Sequence, residues 1–166
     1  ITSEDLEKHS SGLLTSLREA GLMVATAESC TGGLVAGFLT EIAGSSAVFE
    51  RGFVTYSNDA KTEVLGVPTD LIAAHGAVSE EVARSMAIGA IAASRADLAV
   101  SITGIAGPGG GSADKPVGLV HFGAMRRGEK TIHREMRFGE IGRHQVRLES
   151  VGVALELLGD IASARS

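Results

Sequence analysis

Ser29 is a candidate nucleophile because of the residues that surround it. It lies in the run Glu28-Ser29-Cys30-Thr31-Gly32-Gly33, between a short apolar segment and a stretch of small and apolar residues. This order is typical of a strand, a tight turn and a helix, and the glycines let a ligand approach backbone N–H groups that favour negative charge. A serine nucleophile there would have an oxyanion hole nearby. The alternative is that Ser29 or Thr31 only caps the helix.

Tyr56 and Lys61 are the candidates for activating such a serine. Tyr56 ends a second β-rich run, and Lys61 follows five positions later in the next predicted helix. A lysine that is partly desolvated near a serine has a lowered pKa and can take its proton, and a tyrosine hydroxyl can relay it. The other interpretation is a surface lysine beside an interface tyrosine. None of the five histidines has a Ser-His-Asp context, and His121 in mid-strand is more typical of a satisfied core residue.

A glycine-rich loop follows another predicted strand. Residues 104–111 read Gly-Ile-Ala-Gly-Pro-Gly-Gly-Gly, with five glycines in eight positions. They complete neither the G-x-G-x-x-G pattern nor a P-loop. The loop is either a flexible lid or a nest of amides that cradles an anion, and its place directly after a buried strand favours the nest.

Two arginines give an independent indication of an anion. Arg143 and Arg147 lie one turn apart near the start of the last predicted helix, with His144 between them. Cations at this end oppose the helix macrodipole, and a bound anion would remove the conflict. Screening by Glu140 or by solvent is the alternative explanation.

Cysteine and metal chemistry receive little support from the sequence. Cys30 is the single cysteine, which excludes an intrachain disulfide and indicates a reducing compartment, the cytoplasm. It could rival Ser29 as a nucleophile, but neighbouring side chains of an extended segment point in opposite directions, so we expect only one to face the pocket. A free cysteine is more typically a small buried hydrophobe. No His-Glu-x-x-His motif or carboxylate cluster indicates a metal.

The elements that must position these residues alternate along the chain. The hydrophobic pattern predicts a helix that begins at an N-terminal capping box and stops at Gly21, and a hairpin whose second strand lies at a sheet edge. Strands alternating with helices, plus one hairpin, predict an α/β fold, a three-layer α/β/α sandwich with a mixed, mostly parallel sheet. The predicted strands cover residues 22–27, 48–56, 97–103, 117–125 and 131–138, and the predicted helices cover 4–20, 34–42, 60–65, a segment after Ser79, and 142–160.

Length and charge limit the classes of function. With 166 residues, 44% of them hydrophobic, the chain is expected to form one compact domain over 1–166. The formal net charge of −5 provides no basic field for nucleic acid, so an anionic ligand must be held by a local site. No apolar run is long enough to predict a membrane span, and the acidic start does not indicate a secretion signal.

Four stretches of sequence, together with the pair Phe138-Gly139 and Arg143, are spread over nearly the whole chain in the order found in one known family. In that order they resemble the C-terminal domain of the competence/damage-inducible CinA proteins, whose stand-alone members are nicotinamide-nucleotide amidohydrolases. None of these stretches matches the N-terminal molybdopterin-binding-like domain of full-length CinA. The separate activity of that domain is therefore not expected of this chain. The stretches are residues 26–33, 54–58 with Lys61, 101–110 and 115–120.

The resemblance implies an activity and a role for each matched residue. The activity is hydrolysis of the carboxamide of nicotinamide mononucleotide to nicotinate mononucleotide and ammonia in pyridine-nucleotide salvage. Ser29 would be the nucleophile, Lys61 the general base, and Tyr56 an aid to proton transfer. Arg143 would meet the phosphate, and backbone amides near Gly32 or Gly104 are candidates for the oxyanion hole. The residues expected to bind substrate are Thr31, Gly32, Gly33, Thr103, Gly104, Gly107 and Arg143.

This reaction requires no metal or organic cofactor. The expected partners are a small pyridine mononucleotide and further copies of the chain, which would form a homodimer or higher homo-oligomer.

Two other hypotheses of function remain open on the sequence. One is a nucleotide-binding or regulatory module of the family that kept the pocket without catalysis. The other is a metal-dependent phosphohydrolase, which a chelator would inactivate.

Overall fold

The computed structural model describes residues 1–163, and its elements alternate along the chain as the sequence predicts. A short 3-10 helix, Ser45–Ala47, precedes the second strand. The strands are β1 (Val24–Glu28), β2 (Phe49–Val54), β3 (Leu98–Gly104), β4 (Leu119–Arg126) and β5 (Ile132–Arg137), and the helices are α1 (Ser3–Ala20), α2 (Leu34–Thr40), α3 (Asn58–Leu65), α4 (Thr69–His75), α5 (Glu80–Ala92) and α6 (Arg143–Ser163).

The strands form one mixed sheet in the order β2-β1-β3-β4-β5. β1 pairs in parallel with both β2 and β3, whereas β4 is antiparallel to both of its neighbours. Four of the five strands in the described part of the chain therefore run in one direction, and β4 alone runs in the other. The predictions of a mostly parallel sheet and of a hairpin that ends in an edge strand, β5, are confirmed.

Helices cover both faces of this sheet. α1, α2 and α6 pack together on one face, and α3, α4 and α5 pack on the other. Strand side chains alternate between the two layers: Val100 and Ile102 of β3 join the core beneath α6, while Ala99 joins the core beneath α5. The chain is thus a three-layer α/β/α sandwich, as predicted.

Local sequence signals explain most element boundaries. Thr2 and Asp5 form a reciprocal capping box at the start of α1, and Gly21 ends that helix in the left-handed conformation at φ 68°. The hydroxyls of Ser57 and Ser79 cap α3 and α5. Helix α4 was not among the predicted elements, because it is short and begins directly after Pro68 without a side-chain cap.

The strand order creates a crevice at the carboxyl ends of β1 and β3. From β1 the chain passes through α2 to β2 on one side, and then returns through α3, α4 and α5 to β3 on the other side. Open α/β sheets bind ligands where the connections diverge in this way. The segments that contain Ser29, Tyr56 with Lys61, and the glycine-rich loop (28–33, 56–61 and 103–111) all lie where strands end at this edge.

No helix in residues 1–163 combines the length and the apolar character needed to cross a bilayer.

Substitution of Gly89 tests the close packing of α5 against the C-terminal end of α3. A Cβ atom at Gly89 would overlap the main-chain carbonyl oxygen of Leu65, whereas a Cβ atom at Gly37 in α2 would meet nothing within 4 Å. We therefore expect Gly89→Ala to lower the free energy of unfolding by more than about 1 kcal/mol, although alanine favours helix by roughly 0.5–1 kcal/mol. Gly37→Ala is the matched control and should be neutral or stabilising. Urea unfolding measures both, and a Gly89→Ala protein as stable as the control would contradict the packing.

Candidate active site

A cavity of about 280 Å³ opens at the crevice between the ends of β1 and β3. This volume is close to the lower end of the usual range for small-molecule sites, roughly 300 to 1,000 Å³. All three segments singled out in the sequence contribute to its walls. They supply Ser29 and Cys30, then Tyr56, Asn58 and Lys61, then residues of the glycine loop from Thr103 to Gly110, and Arg143 closes one side.

Lys61 and Ser29 are in direct contact in the wall of this cavity. The Lys61 Nζ atom lies 3.0 Å from Ser29 Oγ and donates to the main-chain oxygens of Thr55, at 3.0 Å, and Tyr56, at 3.2 Å. Lys61 is 1% exposed and Ser29 is 8% exposed. The lysine is therefore the buried partner of the serine, and the hypothesis of a surface lysine is wrong.

Burial sets the protonation behaviour of Lys61. Loss of hydration disfavours the charged ammonium, so the pKa of Lys61 is lowered from its ordinary value. No aspartate or glutamate in residues 1–163 forms an ion pair with this ammonium. A lysine in these surroundings can act as a proton acceptor, which an exposed lysine does poorly.

The main chain of Ser29 is held between two strands. Its N–H donates to the carbonyl oxygen of Ile102 at 2.9 Å, and the Thr55 N–H donates to the carbonyl oxygen of Glu28 at 2.9 Å. These bonds continue the pairing of β1 with β3 and β2 up to the serine. Ser29 therefore follows β1 at the point where this strand is paired on both sides.

Cys30 also lines the cavity, contrary to the expectation that only one of the two neighbours faces it. It belongs to the hydrophobic core on the α1, α2 and α6 side of the sheet and is 6% exposed. Burial raises the pKa of its thiol to about 12. A thiol that holds its proton so firmly is a poor nucleophile, so Ser29 is the better candidate of the pair.

Arg143 joins Tyr56 to the glycine loop. Its Nη1 donates to the carbonyl oxygen of Gly107 at 2.8 Å, and its Nη2 donates to the hydroxyl oxygen of Tyr56 at 3.0 Å. Tyr56 is 60% exposed. The guanidinium keeps further donors for a ligand, and the three residues together form the outer rim of the cavity.

The glycine loop is packed against the segment that follows it. Gly107 has φ +85°, and a Cβ atom there would lie 2.5 Å from Val117 Cγ1, so no larger residue fits. At the base of the loop, Thr103 Oγ1 donates to the carbonyl oxygen of Ala77 at 2.9 Å. Thr103, Gly104 and Gly107 all line the cavity, as the resemblance implied.

Thr31, Gly32 and Gly33, which the resemblance expects to bind substrate, are not among the residues that line the cavity. Thr31 is fully buried, and its hydroxyl donates to Glu28 Oε1 at 2.7 Å. The Gly32 N–H donates to the carbonyl oxygen of Ser29 at 3.0 Å, so this amide is already used. The turn shapes the path of the chain after Ser29.

Arg147 also differs from expectation, because it does not share an anion site with Arg143. Its Nε donates to the carbonyl oxygen of Cys30 at 3.1 Å and its Nη2 to that of Thr31 at 3.2 Å. These carbonyl contacts, rather than Glu140 or solvent, stabilise the cation near the start of α6.

Sequence reasoning missed three residues of the cavity wall. Asn58 lies between the two expected residues of its segment, and Ala77 and Val78 precede α5. Alanine and valine carry no chemical signal of a site. Their position results from the bond between Thr103 and Ala77, which only the folded chain reveals.

His121 lies outside this cavity and pairs with another histidine. Its Nδ1 is 2.9 Å from His133 Nε2, and the two rings stack at 5.1 Å between centroids. Burial lowers the pKa of both imidazoles. His121 is thus a partnered, buried side chain, in agreement with the sequence interpretation.

Basic side chains line the cavity wall, and Arg143 keeps its positive charge when Lys61 is neutral. Among the described residues, Lys61 and Arg143 are the charged side chains that line it, and none of the lining residues is acidic. The chain as a whole carries a net charge of −5. The site is therefore a local cationic cavity suited to an anionic small molecule.

A family model and several relatives match nearly the full length of this chain. The family model of the CinA C-terminal domain matches residues 6–162, nearly the full chain. The chain belongs to the CinA C-terminal domain family. A relative from Escherichia coli strain K12, "Nicotinamide-nucleotide amidohydrolase PncC", is 54% identical over 159 residues, covering 95% of each chain. A "CinA-like protein" of Citrifermentans bemidjiense is 51% identical over 95% of this chain and 38% of its own length.

Solved structures of the CinA family share the fold. The crystal structure described as competence/damage inducible protein CihA from Agrobacterium tumefaciens superposes with a TM-score of 0.91. It is 58% identical and covers 93% of both chains. The three-layer arrangement is therefore that of the CinA C-terminal domain family.

The titration of Lys61 tests the burial of the site directly. The chain has four lysines, so their side-chain carbon resonances can be followed singly by NMR, with Lys61→Met to assign the signal. We expect the Lys61 signal to titrate below about 10.4, the value of an unperturbed lysine, because burial disfavours the ammonium. Titration of Lys61 at or above that value would contradict the described environment.

Proposed function

We propose that the chain hydrolyses the carboxamide of nicotinamide mononucleotide to nicotinate mononucleotide and ammonia. The observation that carries the proposal is the buried contact of 3.0 Å between Lys61 Nζ and Ser29 Oγ. The substrate comes from the printed name of the Escherichia coli relative, which is 54% identical. The cationic cavity beside the contact supports a substrate that carries a phosphate.

The first step is activation and attack by Ser29. Neutral Lys61 takes the hydroxyl proton, and Ser29 Oγ attacks the carboxamide carbon to give a tetrahedral oxyanion. The two carbonyl oxygens that accept from Lys61 hold the amine in place during this transfer. Lowering of the lysine pKa by burial supports the role because the neutral amine forms more readily.

The Gly104 N–H is the better of the two expected donors to the oxyanion. The Gly32 N–H is already bonded to Ser29. By contrast, Ile105 N–H donates to Leu119 on β4, and antiparallel bonds skip every second residue, so the Gly104 N–H points away from β4 and toward β1. Removing one donor from an oxyanion hole typically costs about 100- to 1000-fold in rate.

The remaining steps return the enzyme to its starting state. The Lys61 ammonium gives its proton to the leaving nitrogen, the C–N bond breaks, and ammonia departs from an ester on Ser29. Neutral Lys61 then takes a proton from water, which attacks the ester. The C–O bond to Ser29 breaks, the Lys61 ammonium returns the proton to Ser29 Oγ, and nicotinate mononucleotide leaves. The proposed cycle uses neither metal nor organic cofactor.

Tyr56 and Arg143 are proposed to act at the outer rim. The Tyr56 hydroxyl contacts Arg143, and Lys61 contacts the Tyr56 carbonyl, so this residue adjoins both the base and the phosphate end of the cavity. Tyr56 would aid proton transfer, and Arg143 would bind the phosphate. Thr103, Gly104 and Gly107 would form the wall between them.

Three wider properties of the chain are also proposed. The 166-residue chain would act as one amidohydrolase domain, in the cytoplasm, as a homodimer or higher homo-oligomer. The lone cysteine is consistent with a reducing compartment.

Loss of ammonia release tests the nucleophile and the base. Ser29→Ala and Lys61→Met should each lower kcat with nicotinamide mononucleotide by at least about a thousandfold, because each removes a group that reacts. Ser16→Ala on α1 and Lys130→Met, both exposed, are the matched controls and should retain full activity. Full activity in Ser29→Ala would exclude Ser29 as the nucleophile. Saturable binding without turnover by the unmodified chain would favour the non-catalytic module.

A substrate without phosphate tests Arg143. Arg143→Gln should raise KM for nicotinamide mononucleotide about ten- to hundredfold, since hydrogen bonds to charged groups contribute roughly 1.5–3 kcal/mol. With nicotinamide riboside, which lacks the phosphate, the same substitution should change KM little. Arg134→Gln, at an ion pair with Glu156 and Asp160, is the control. Equal effects on both substrates would contradict phosphate binding by Arg143.

A further inference from the structure

The turn after Ser29 contains a buried charge that the proposed reaction does not use. Glu28 directly precedes the serine and is 0% exposed. Its Oε1 accepts from Thr31 Oγ1 at 2.7 Å and from the Val35 N–H at 2.9 Å, and its Oε2 accepts from the Ala36 N–H at 3.0 Å. Both oxygens of a fully buried carboxylate are thus committed to the turn and to the start of α2.

These contacts replace the usual cap of a helix. The N-cap position of α2 is Gly33, which has no side chain, so the first amides of the helix need another acceptor. Glu28 supplies it from the end of β1, and the positive end of the helix dipole favours its negative charge. The carboxylate therefore fixes α2 to β1 across the turn that carries Ser29.

Arg147 holds the opposite side of the same turn. From α6 it donates to the carbonyl oxygens of Cys30 and Thr31, the two residues that follow Ser29. Glu28 thus satisfies donors of the turn while Arg147 satisfies its acceptors. Neither side chain lines the cavity, so neither is placed to touch a ligand there.

We propose that Glu28 and Arg147 are positioning residues that keep Ser29 Oγ within reach of Lys61. The inference rests on the proposed function for its kinetic consequence. The turn connects β1 to α2 over five residues, and without the two charged contacts its main chain could shift relative to the fixed lysine. A displacement of about 1 Å at a reacting group can cost about a hundredfold in rate.

Conservative substitutions test each contact. Glu28→Gln keeps the shape but removes the charge and places an amide nitrogen where an acceptor is needed. Arg147→Lys keeps the charge, but a single ammonium cannot reproduce the planar, two-pronged donation to both carbonyls. In each variant we expect kcat to fall at least about tenfold while KM stays within about twofold, because the phosphate and glycine-loop contacts are unchanged.

Two controls repeat the same chemical changes at the far end of the sheet. Asp97→Asn alters a carboxylate that accepts from the Met23 N–H, just before β1. Arg127→Lys alters a guanidinium that donates to the carbonyl oxygens of Ile91, Ser94 and Ala96. Both should keep kcat within about twofold, when assayed well below the melting temperature of each protein.

Crystal structures of the variants provide a test that does not depend on the substrate. The Lys61 Nζ to Ser29 Oγ distance should exceed 3.5 Å in Glu28→Gln and Arg147→Lys, and remain near 3.0 Å in the controls. Arg147→Lys keeps the positive charge and is the variant expected to fold more reliably. An unchanged distance between Lys61 Nζ and Ser29 Oγ in this variant overturns the inference, whatever its kcat. A rise in KM with unchanged kcat also overturns it. Absence of ammonia release by the unmodified chain would refute the proposed function, while the distances would still decide the positioning roles.

Discussion

The site depends on the burial of Lys61, with which no carboxylate in residues 1–163 forms an ion pair. A buried ammonium loses its hydration, and in real proteins this costs several kcal/mol per ion unless other groups compensate. Here the compensation is three oxygens, from Ser29, Thr55 and Tyr56, all within 3.2 Å. They come from the ends of β1 and β2, so the lysine is stable only when both strands and α3 are correctly assembled.

The sheet order produces that assembly. β1 lies between its two parallel neighbours, so its carboxyl end is enclosed on both sides, and Ser29 extends the pairing by one residue. α3 begins at Asn58 and brings Lys61 back over the end of β1 within one turn. The topology thus brings Lys61 to Ser29, and the charged contacts of Glu28 and Arg147 are proposed to hold the turn that follows the serine.

Much of the fold, and the location of the site, was predictable from local sequence signals. The capping box, Gly21, Ser57 and Ser79 set helix boundaries through interactions between residues close in sequence. Ser29, Tyr56 and the glycine-rich loop were each expected at the end of a predicted strand. The role of the turn was not predictable in this way. The placement of Thr31, Gly32 and Gly33 depends on Glu28 and Arg147, and the second of these is more than a hundred residues away in the chain. A glutamate within the buried run Val24–Glu28 was the available signal.

The proposed mechanism requires a covalent ester on Ser29 during turnover. It is tested most directly by mixing the chain with nicotinamide mononucleotide, quenching in acid within the first turnover, and locating the added mass on peptides by mass spectrometry. We expect a nicotinate mononucleotide adduct on Ser29 that is absent from Ser29→Ala. An adduct on Cys30, or ammonia release in the first turnover with Ser29 unmodified, would contradict it.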